Sequence, residues 1–304
     1  MKRRRFLHQF SATGALLSTG ALPLDVFAKP ELQHLTILHT NDVHSRIEPF
    51  PMDGSRLQGM GGAARRTALI DAVRVETPNV LLFDSGDIFQ GTPYFNMFGG
   101  EVEIRVMSEM QYDATTIGNH DFDGGMDGLL KQMPLATFPF VICNYDFSST
   151  ILHGHTIPYS TFMRDNIRIG VLGVGIELNG LVPDSMYGET QYLDPVVSAN
   201  KTAAILRHDE KCDFVICLSH LGHKYQDDKV SDTVLAKSSS DIDLILGGHT
   251  HTFLERPELH ENAVGRPVLI NQVGWAGVRL GRIDMTFERN CKHRCVSCNN
   301  LWVK

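Results

Sequence analysis

The sequence lacks several features that would each indicate a particular class of protein. It has no internal repeat and no low-complexity linker, and no apolar run reaches the roughly 20 residues that a membrane-spanning helix needs. It also lacks an excess of basic residues, since 28 Lys and Arg stand against 35 Asp and Glu, for a formal net charge of -7. Binding to a nucleic-acid backbone depends on a basic face, so we do not expect it here.

The chain has the composition of a soluble globular protein. Hydrophobic residues make up 42% and charged residues 21% of its 304 residues, enough for one large domain or two small ones. Two long polar loops, residues 46–62 and 176–195, are typical of an active-site rim rather than of a domain boundary. We therefore predict a single catalytic domain over residues 29–304.

Residues 1–28 have the features of an export signal. The segment Lys2–Leu7 resembles a twin-arginine signal, small apolar residues follow from Ser11 to Leu24, and Val26–Ala28 resembles a cleavage site. The apolar stretch is too short and too rich in Gly, Ser and Thr for a retained membrane anchor. The sequence thus predicts export to the periplasm or the cell surface, without a transmembrane anchor in the mature form.

The cysteines fall into two groups. Three lie in or beside apolar runs and are expected to be buried thiols: Cys143, Cys212 and Cys217. The other three crowd together near the C-terminus, beside His293: Cys291, Cys295 and Cys298. Their spacing lacks the second matched pair of a zinc ribbon, so a terminal hairpin with one local disulfide, or with none, is favoured over a metal site.

Apolar β-type runs alternate with helical patterns along most of the chain. The predicted strands are Leu35–Leu38, Val80–Phe83, Ala114–Ile117, Phe140–Cys143, Ile167–Val174, Phe214–Leu218, Leu244–Leu246, Val268–Gln272, Val278–Phe287 and Cys295–Val303. The predicted helices are Gly61–Val75, Val102–Met110, Met126–Met133, Val196–Lys211 and Val230–Ser238. The alternation indicates βαβ units, and the purely β ending favours mixed sheets that pack face to face between helices.

Five polar motifs each follow one of these apolar runs. They are Asp42–His44, Asp84–Asp87, Gly118–Asp121, Ser219–His220 and Gly247–His251. Each motif alone is a weak signal, because Asp and His are common in loops. In open α/β sheets, however, ligands bind at the carboxyl ends of the strands, so all five motifs are expected to meet at one edge.

The motifs contain a full set of ligands for two metal ions. The candidate ligands are Asp42, His44, Asp87, Asn119, His220, His249 and His251. Mixed oxygen and nitrogen ligands suit Zn, Mn, Fe or Co rather than Ca or Mg alone, and the two oxygens of Asp87 could bridge two ions. Two such ions, about 3.5–4 Å apart, can clamp a phosphoryl group and supply a nucleophile near neutral pH. A metal-dependent hydrolase is therefore the first hypothesis.

Other polar residues near these motifs are assigned supporting roles. His120 could donate a hydrogen bond to a phosphoryl oxygen or a proton to a leaving group, with its second nitrogen held by Asp121 or by Asp123, which has the better reach. Asp84 is expected to orient the loop of Asp87. Two basic residues could reach a substrate phosphate but are expected to lie on a solvated helix face: Arg65 and Arg66.

Two long motifs carry a family resemblance. The segment Leu35–Ile47 resembles the opening motif of the bacterial and animal 5′-nucleotidases, and Tyr112–Asp123 resembles their second motif. These enzymes belong to the calcineurin-like metallophosphoesterases, and the resemblance covers roughly residues 33–290. It implies the metallophosphatase fold, an α/β fold of four layers (α/β/β/α) in which two mixed sheets are flanked by helices.

The resemblance also implies a role for each site residue. One metal ion would be bound by Asp42, His44, Asp87 and His251. The other would be bound by Asp87, Asn119, His220 and His249, so that Asp87 bridges the pair. His120 and Asp123 take the place of the family's catalytic dyad. Asp121 stands where the nucleotidases usually have Glu, and His251 where they often have Gln or Asn, and neither change removes the chemistry.

The implied activity is that of an exported dinuclear hydrolase of phosphate monoesters, similar to a 5′-nucleotidase. The alternatives are a cyclic nucleotide phosphodiesterase or 3′-nucleotidase, another ester hydrolase on the same scaffold, including one for sulfur esters, and a non-catalytic metal-binding subunit that docks a partner. The family's C-terminal domain, which binds the nucleoside base between aromatic rings, is expected to be absent. A separate polypeptide could supply it, or the substrate could be a smaller or different phosphate ester.

Overall fold

The computed structural model describes residues 32–227, 229–288 and 293–304, with only the backbone for 293–296. The strands are β1 (Gln33–Thr40), β2 (Val80–Asp84), β3 (Ala114–Thr115), β4 (Tyr145–Asp146), β5 (Tyr159–Arg164), β6 (Ile167–Val174), β7 (Gln191–Tyr192), β8 (Phe214–Ser219), β9 (Leu244–Leu246), β10 (Glu258–Glu261), β11 (Pro267–Asn271), β12 (Arg279–Phe287) and β13 (His293–Trp302). The α-helices are α1 (Ala63–Glu76), α2 (Pro93–Phe98), α3 (Glu101–Glu109), α4 (Gly125–Gln132), α5 (Asp184–Tyr187), α6 (Pro195–Ala204) and α7 (Asp232–Ser238). The predicted export signal lies outside the described residues.

Two mixed sheets form the body of the domain. The first has the strand order β13-β12-β1-β2-β3, in which β1, β2 and β3 are parallel and β12 and β13 are antiparallel to their neighbours. The second has the order β10-β11-β9-β8-β6-β5, with four parallel central strands and an antiparallel strand at each edge. The parallel strands of each sheet therefore end at a common carboxyl edge.

Three apolar clusters hold the layers together. Between the sheets, side chains such as Ile37 of β1 and Val171 of β6 are fully buried against each other's sheet. On the outer face of the first sheet, residues such as Leu82 pack against α1, α3 and α4. On the outer face of the second sheet, residues such as Val215 and Ile245 pack against α6 and α7. This arrangement is the predicted α/β/β/α sandwich, so the predicted fold is confirmed.

One predicted strand is wrong, and several short elements were not predicted. The segment 140–143 alternates like a strand, since Phe140 and Ile142 face the helical side and Val141 faces the inter-sheet core. It forms only isolated bridges, from Phe140 to Thr115 and from Val141 to Ile157, because the neighbouring strand β3 is just two residues long. The unpredicted edge strand β5 is half exposed along its length and so carries little apolar signal.

No helix in the described part of the chain combines the length and apolarity needed to cross a bilayer.

Candidate metal centre

The five polar motifs meet where the carboxyl edges of the two sheets come together. The first sheet contributes the loops after β1, β2 and β3, and the second sheet contributes those after β8 and β9. Hydrogen bonds join the two groups: the His220 Nδ1 atom lies 2.7 Å from the Ser85 carbonyl oxygen, and the Ser85 hydroxyl donates to the Leu246 carbonyl at 2.7 Å. Because Nδ1 of His220 points at a carbonyl, it carries the proton, and Nε2 is directed into the site.

One group of potential ligands consists of Asp42, His44 and His251. Their ligand atoms all lie within 4.8 Å of one another. The two Nε2 atoms of the histidines are 3.1 Å apart, and the Nε2 atom of His251 is 3.3 Å from Oδ1 of Asp42. The amide of His249 also donates to both oxygens of Asp42, at 2.9 and 3.0 Å, which fixes this carboxylate between the two sheets.

A second group consists of Asp87, His220 and His249, again with all ligand atoms within 4.8 Å of one another. The Nε2 atom of His220 lies 3.1 Å from Oδ2 of Asp87. Asn119 joins this group, because its Oδ1 atom is 2.9 Å from Nδ1 of His249. The structure thus brings all seven predicted ligands into one site, in the two sets that the resemblance implies.

Asp87 occupies the position between the two groups. Its Oδ2 atom is 3.1 Å from Nε2 of His220 in one group and 3.8 Å from Nε2 of His44 in the other. Its Oδ1 atom accepts a hydrogen bond from the His120 amide at 2.8 Å. A carboxylate held in this place can bind two cations at once.

The backbone at the site is strained at most of the candidate ligands. Five of the seven candidate ligands have positive φ: Asp42 (50°), His44 (50°), Asp87 (56°), His249 (69°) and His251 (51°). Non-glycine residues rarely adopt this conformation, and each such residue costs on the order of 1–3 kcal/mol. Strain of this kind persists where the surrounding structure fixes it, and it is concentrated at functional sites.

The charges of the site leave a surplus of negative charge for a cation to neutralise. Burial lowers the pKa of His249 to about 4, so this imidazole is neutral and its lone pair is available. Burial also opposes a charge on His220, but the carboxylates of Asp87 and Asp42 outweigh burial and raise its pKa to about 10. A site that retains a proton on a fully buried imidazole attracts positive charge strongly. The donor set therefore fits divalent metal ions with mixed nitrogen and oxygen ligands.

His120 lies at the open side of the site and is held by Asp123. The Nδ1 atom of His120 is 2.9 Å from Oδ2 of Asp123. This hydrogen bond is the main cause that raises the pKa of His120 above its usual value. Asp121, the other candidate for this contact, faces the opposite way and accepts hydrogen bonds from the amides of Ile88 at 2.9 Å and Gly118 at 2.8 Å. Asp121 therefore shapes the two metal-site loops, while Asp123 orients His120.

Two further predictions concern residues beneath the site. Asp84 accepts hydrogen bonds from the Thr40 hydroxyl at 2.6 Å and the Gly86 amide at 2.9 Å, so it orients the loop of Asp87, as expected. The expectation of a solvated Arg66 is wrong, because only 1% of this residue is exposed. Its guanidinium packs so close to the backbone of Gly277 that a Cβ atom there would lie 2.0 Å from Nη1.

The remaining histidines and cysteines lie outside the two ligand groups. His39 is fully buried with its Nε2 atom 2.7 Å from Nδ2 of Asn271, and burial lowers its pKa to about 3. Cys212 and Cys217 are buried free thiols, as expected, and Cys143 is a partly buried one. Near the C-terminus, Cys298 is disulfide-bonded, whereas Cys291 and the side chain of Cys295 lie outside the described residues.

An aromatic neighbour of the site was not identified from the sequence. The indole of Trp275 stacks on the ring of His251, with ring centres 5.6 Å apart and planes 10° apart. Phe50 meets the same indole edge-on at 5.8 Å, and the guanidinium of Arg46 lies 4.2 Å above the Phe50 ring. The signal that could have revealed Trp275 is its position just after an apolar strand, the same position that marks the ligand motifs.

Replacing Trp275 with leucine is expected to weaken metal binding about two- to tenfold. The stack fixes the orientation of His251, and aromatic stacking contributes on the order of 0.5–1.5 kcal/mol beyond buried area. Competition with a chelator measures the affinity. Trp302→Leu is the matched control, because Trp302 stacks on Phe253 rather than on His251. Equal metal affinities of the two variants would show that the stack has no such role.

Comparison with known proteins assigns the chain to a family. The family model for calcineurin-like phosphoesterases matches residues 35–253. A snake venom 5′-nucleotidase from Naja atra is 31% identical over an alignment 279 residues long that covers 84% of this chain and 50% of that protein. A 5′-nucleotidase from Vibrio vulnificus is 32% identical over an alignment 326 positions long, gaps included, that covers 97% of this chain and 57% of that protein.

A solved structure gives the same result. The 5′-nucleotidase precursor from Thermus thermophilus is 31% identical, with a TM-score of 0.79 over 89% of this chain and 54% of that chain. The chain thus spans about half the length of the relatives it matches. From its sequence, its fold and the family model, this chain belongs to the calcineurin-like phosphoesterases.

Proposed function

We propose that this protein is an exported, metal-dependent hydrolase of phosphate monoesters that uses two divalent ions, with nucleoside 5′-monophosphates as its substrate class. The observation that carries the proposal is the position of Asp87, whose Oδ2 atom lies 3.1 Å from His220 in one ligand group and 3.8 Å from His44 in the other. A carboxylate shared by two such groups is the arrangement that a pair of bridged ions requires.

Seven side chains would hold the two ions. One ion would be bound by Asp42, His44, Asp87 and His251, and the other by Asp87, Asn119, His220 and His249. Bound ions of this kind supply Lewis acidity and a nucleophile at neutral pH. The side chains themselves fix where the phosphoryl group lies, and the hydrogen bonds among their loops keep the donors in place before substrate arrives.

In this proposal His120 is the residue that donates a proton to the substrate. Its Nδ1 atom is committed to Asp123 at 2.9 Å, which leaves Nε2 as the nitrogen that faces substrate. About a third of the His120 side chain is exposed, so a substrate can reach it. With its pKa raised, the imidazole retains a proton to donate to the leaving oxygen or to a phosphoryl oxygen. Asp123 acts by fixing the orientation of the ring.

Export and the nucleotide substrate rest on different observations. Export is supported by the residues of segment 1–28, with its arginines, its short apolar stretch and its small-residue end. A nucleotide substrate is supported by similarity to relatives such as the 5′-nucleotidases of Naja atra and Vibrio vulnificus. The chain spans about half of those proteins, so the nucleotide substrate is part of the proposal, and a separate polypeptide could contribute to the nucleoside site.

A metal-reloading assay tests the proposal. Protein stripped of metal by a chelator is expected to be inactive and to regain hydrolysis of p-nitrophenyl phosphate and AMP when Mn, Co or Zn is added. The panel also includes 3′-AMP, a 2′,3′-cyclic nucleotide, bis-p-nitrophenyl phosphate and a sulfur ester. These substrates test for the other ester hydrolase activities that are possible on this scaffold. A protein that hydrolyses none of these with any metal, or that is indifferent to the chelator, would contradict the proposal.

A further inference from the structure

Two cavities adjoin each other, since they share two lining residues, Glu177 and Tyr192. One has a volume of about 380 Å³ and the other about 390 Å³. Each is within the range of roughly 300–1,000 Å³ that is typical of small-molecule sites. We refer to the two together as the Glu177 groove.

One end of the Glu177 groove is lined by a residue that adjoins the second ligand group in the chain. Leu221, which lines this end, directly follows the proposed metal ligand His220 in the chain. Lys229 lines the same end, and its charge is one of those acting on His249. The lysine ammonium is held 4.8 Å above the ring of Tyr225, so its position beside the metal centre is defined.

The other end adjoins the loop that carries His120 and Asp123. Phe122, which lies between these two residues, packs edge-on against Tyr145 with ring centres 6.1 Å apart, and Tyr145 lines the groove. Tyr145 in turn lies 6.2 Å from the ring of Tyr192. The groove is therefore lined by a residue next to the proposed metal ligand His220 and by a residue that packs on the loop of His120.

The lining combines aromatic rings with hydrogen-bonding groups. Tyr145, Tyr187 and Tyr192 contribute rings, and Glu177 is an exposed carboxylate that lines both cavities. Burial and the nearby Glu177 carboxylate raise the pKa of Tyr192, so its hydroxyl remains a donor. Rings and carboxylates in one groove suit a neutral ligand with flat faces and several hydroxyl groups. A second phosphate would be repelled by the acidic lining.

We propose that the Glu177 groove binds the leaving group of the substrate and that Glu177 accepts hydrogen bonds from the two ribose hydroxyls of a nucleoside monophosphate. The inference rests on the proposed function, since it places the phosphate at the metal centre. Carboxylates bind ribose hydroxyls in this way in dinucleotide-binding folds. A site built to accept these hydrogen bonds discriminates strongly against analogues that lack the hydroxyls.

The test compares AMP with 2′,3′-dideoxy-AMP in the wild-type protein and in Glu177→Gln. A hydrogen bond to a charged group contributes enough to change binding about tenfold to a hundredfold. The wild-type kcat/KM is therefore expected to favour AMP by at least about tenfold. In Glu177→Gln that preference should shrink to about threefold or less, because the uncharged amide is a weaker acceptor for the ribose hydroxyls.

The matched control is Glu189→Gln, an exposed glutamate in the same segment that does not line the groove. It should leave the AMP preference unchanged, and calorimetry should show adenosine binding weakened in Glu177→Gln but not in the control. If p-nitrophenyl phosphate is hydrolysed in a metal-dependent way and Glu177→Gln keeps the full AMP preference, the inference is overturned while the proposed function stands. If no ester is hydrolysed with any metal, both fail.

Discussion

Replacing Asp87 with asparagine is expected to remove the metal pair and to lower kcat/KM for phosphate monoesters by at least about a thousandfold. The Asp87 carboxylate lies within 4 Å of imidazole nitrogens from both ligand sets, those of His44 and His220. An asparagine amide carries no charge, so its oxygen binds two cations far more weakly than the Asp87 carboxylate does. Metal ions contribute several kcal/mol of transition-state stabilisation, and each 1.36 kcal/mol is a factor of ten in rate.

Elemental analysis of the purified Asp87→Asn variant, beside its kinetics, checks this expectation. Asp127→Asn is the matched control, because Asp127 is an exposed residue of α4 with no place in either ligand group. Circular dichroism and a thermal unfolding curve show whether each variant is folded. An Asp87→Asn protein that retains two metal ions and near-normal activity would refute the bridging role.

Replacing His120 with alanine is expected to lower kcat about a hundredfold to ten-thousandfold while the metal content stays unchanged. This is the usual contribution of a positioned general acid or base. His120 is outside both ligand groups. Its Nδ1 atom contacts the Asp123 carboxylate, its ring packs edge-on against His44 with ring centres 5.3 Å apart, and its backbone amide donates to Oδ1 of Asp87. The alanine variant retains that amide, so the loop and the metal pair are preserved.

The choice of substrate sharpens the test of His120. The p-nitrophenolate group leaves without needing a proton, whereas the 5′-oxygen of a nucleoside needs one. If His120 protonates the leaving oxygen, His120→Ala should cost more activity on AMP than on p-nitrophenyl phosphate. Equal losses on both substrates would instead assign His120 to the phosphoryl oxygens. His223→Ala serves as the control, because His223 pairs with Glu258. Full activity of His120→Ala on both substrates would contradict either role.

The fold could be predicted wherever strands are buried on both faces. The run Ile167–Val174 reads as one apolar strand, and the structure has β6 over the same residues, because a central parallel strand needs apolar side chains on each side. The edge strand β5 and the two-residue strands β4 and β7 lack that requirement, so their sequences carry no comparable signal. Segment 140–143 shows the reverse case. Its apolar residues predict a strand, but the segment forms only isolated bridges to its neighbours.

The site was predictable where polar residues follow such strands, since the carboxyl ends of parallel strands must meet. Residues that reach the site from other parts of the chain could not be predicted. Arg66 is buried because Gly277 leaves space for its guanidinium, a contact between distant segments that helical spacing does not reveal. Trp275 and Glu177 likewise owe their position beside the site to loops whose paths depend on the packing of the two sheets. The loop at 176–195 was expected to form a rim, but its cavities are a property of the folded chain.

The most direct test of the account is a crystal structure of the protein grown with Mn or Zn, with anomalous scattering used to locate the ions. The account predicts two anomalous peaks about 3.5–4 Å apart, one among Asp42, His44 and His251, the other among Asn119, His220 and His249, and Asp87 in contact with both. A crystal that shows no peak at this edge of the sheets, or a single ion that Asp87 does not touch, would contradict it.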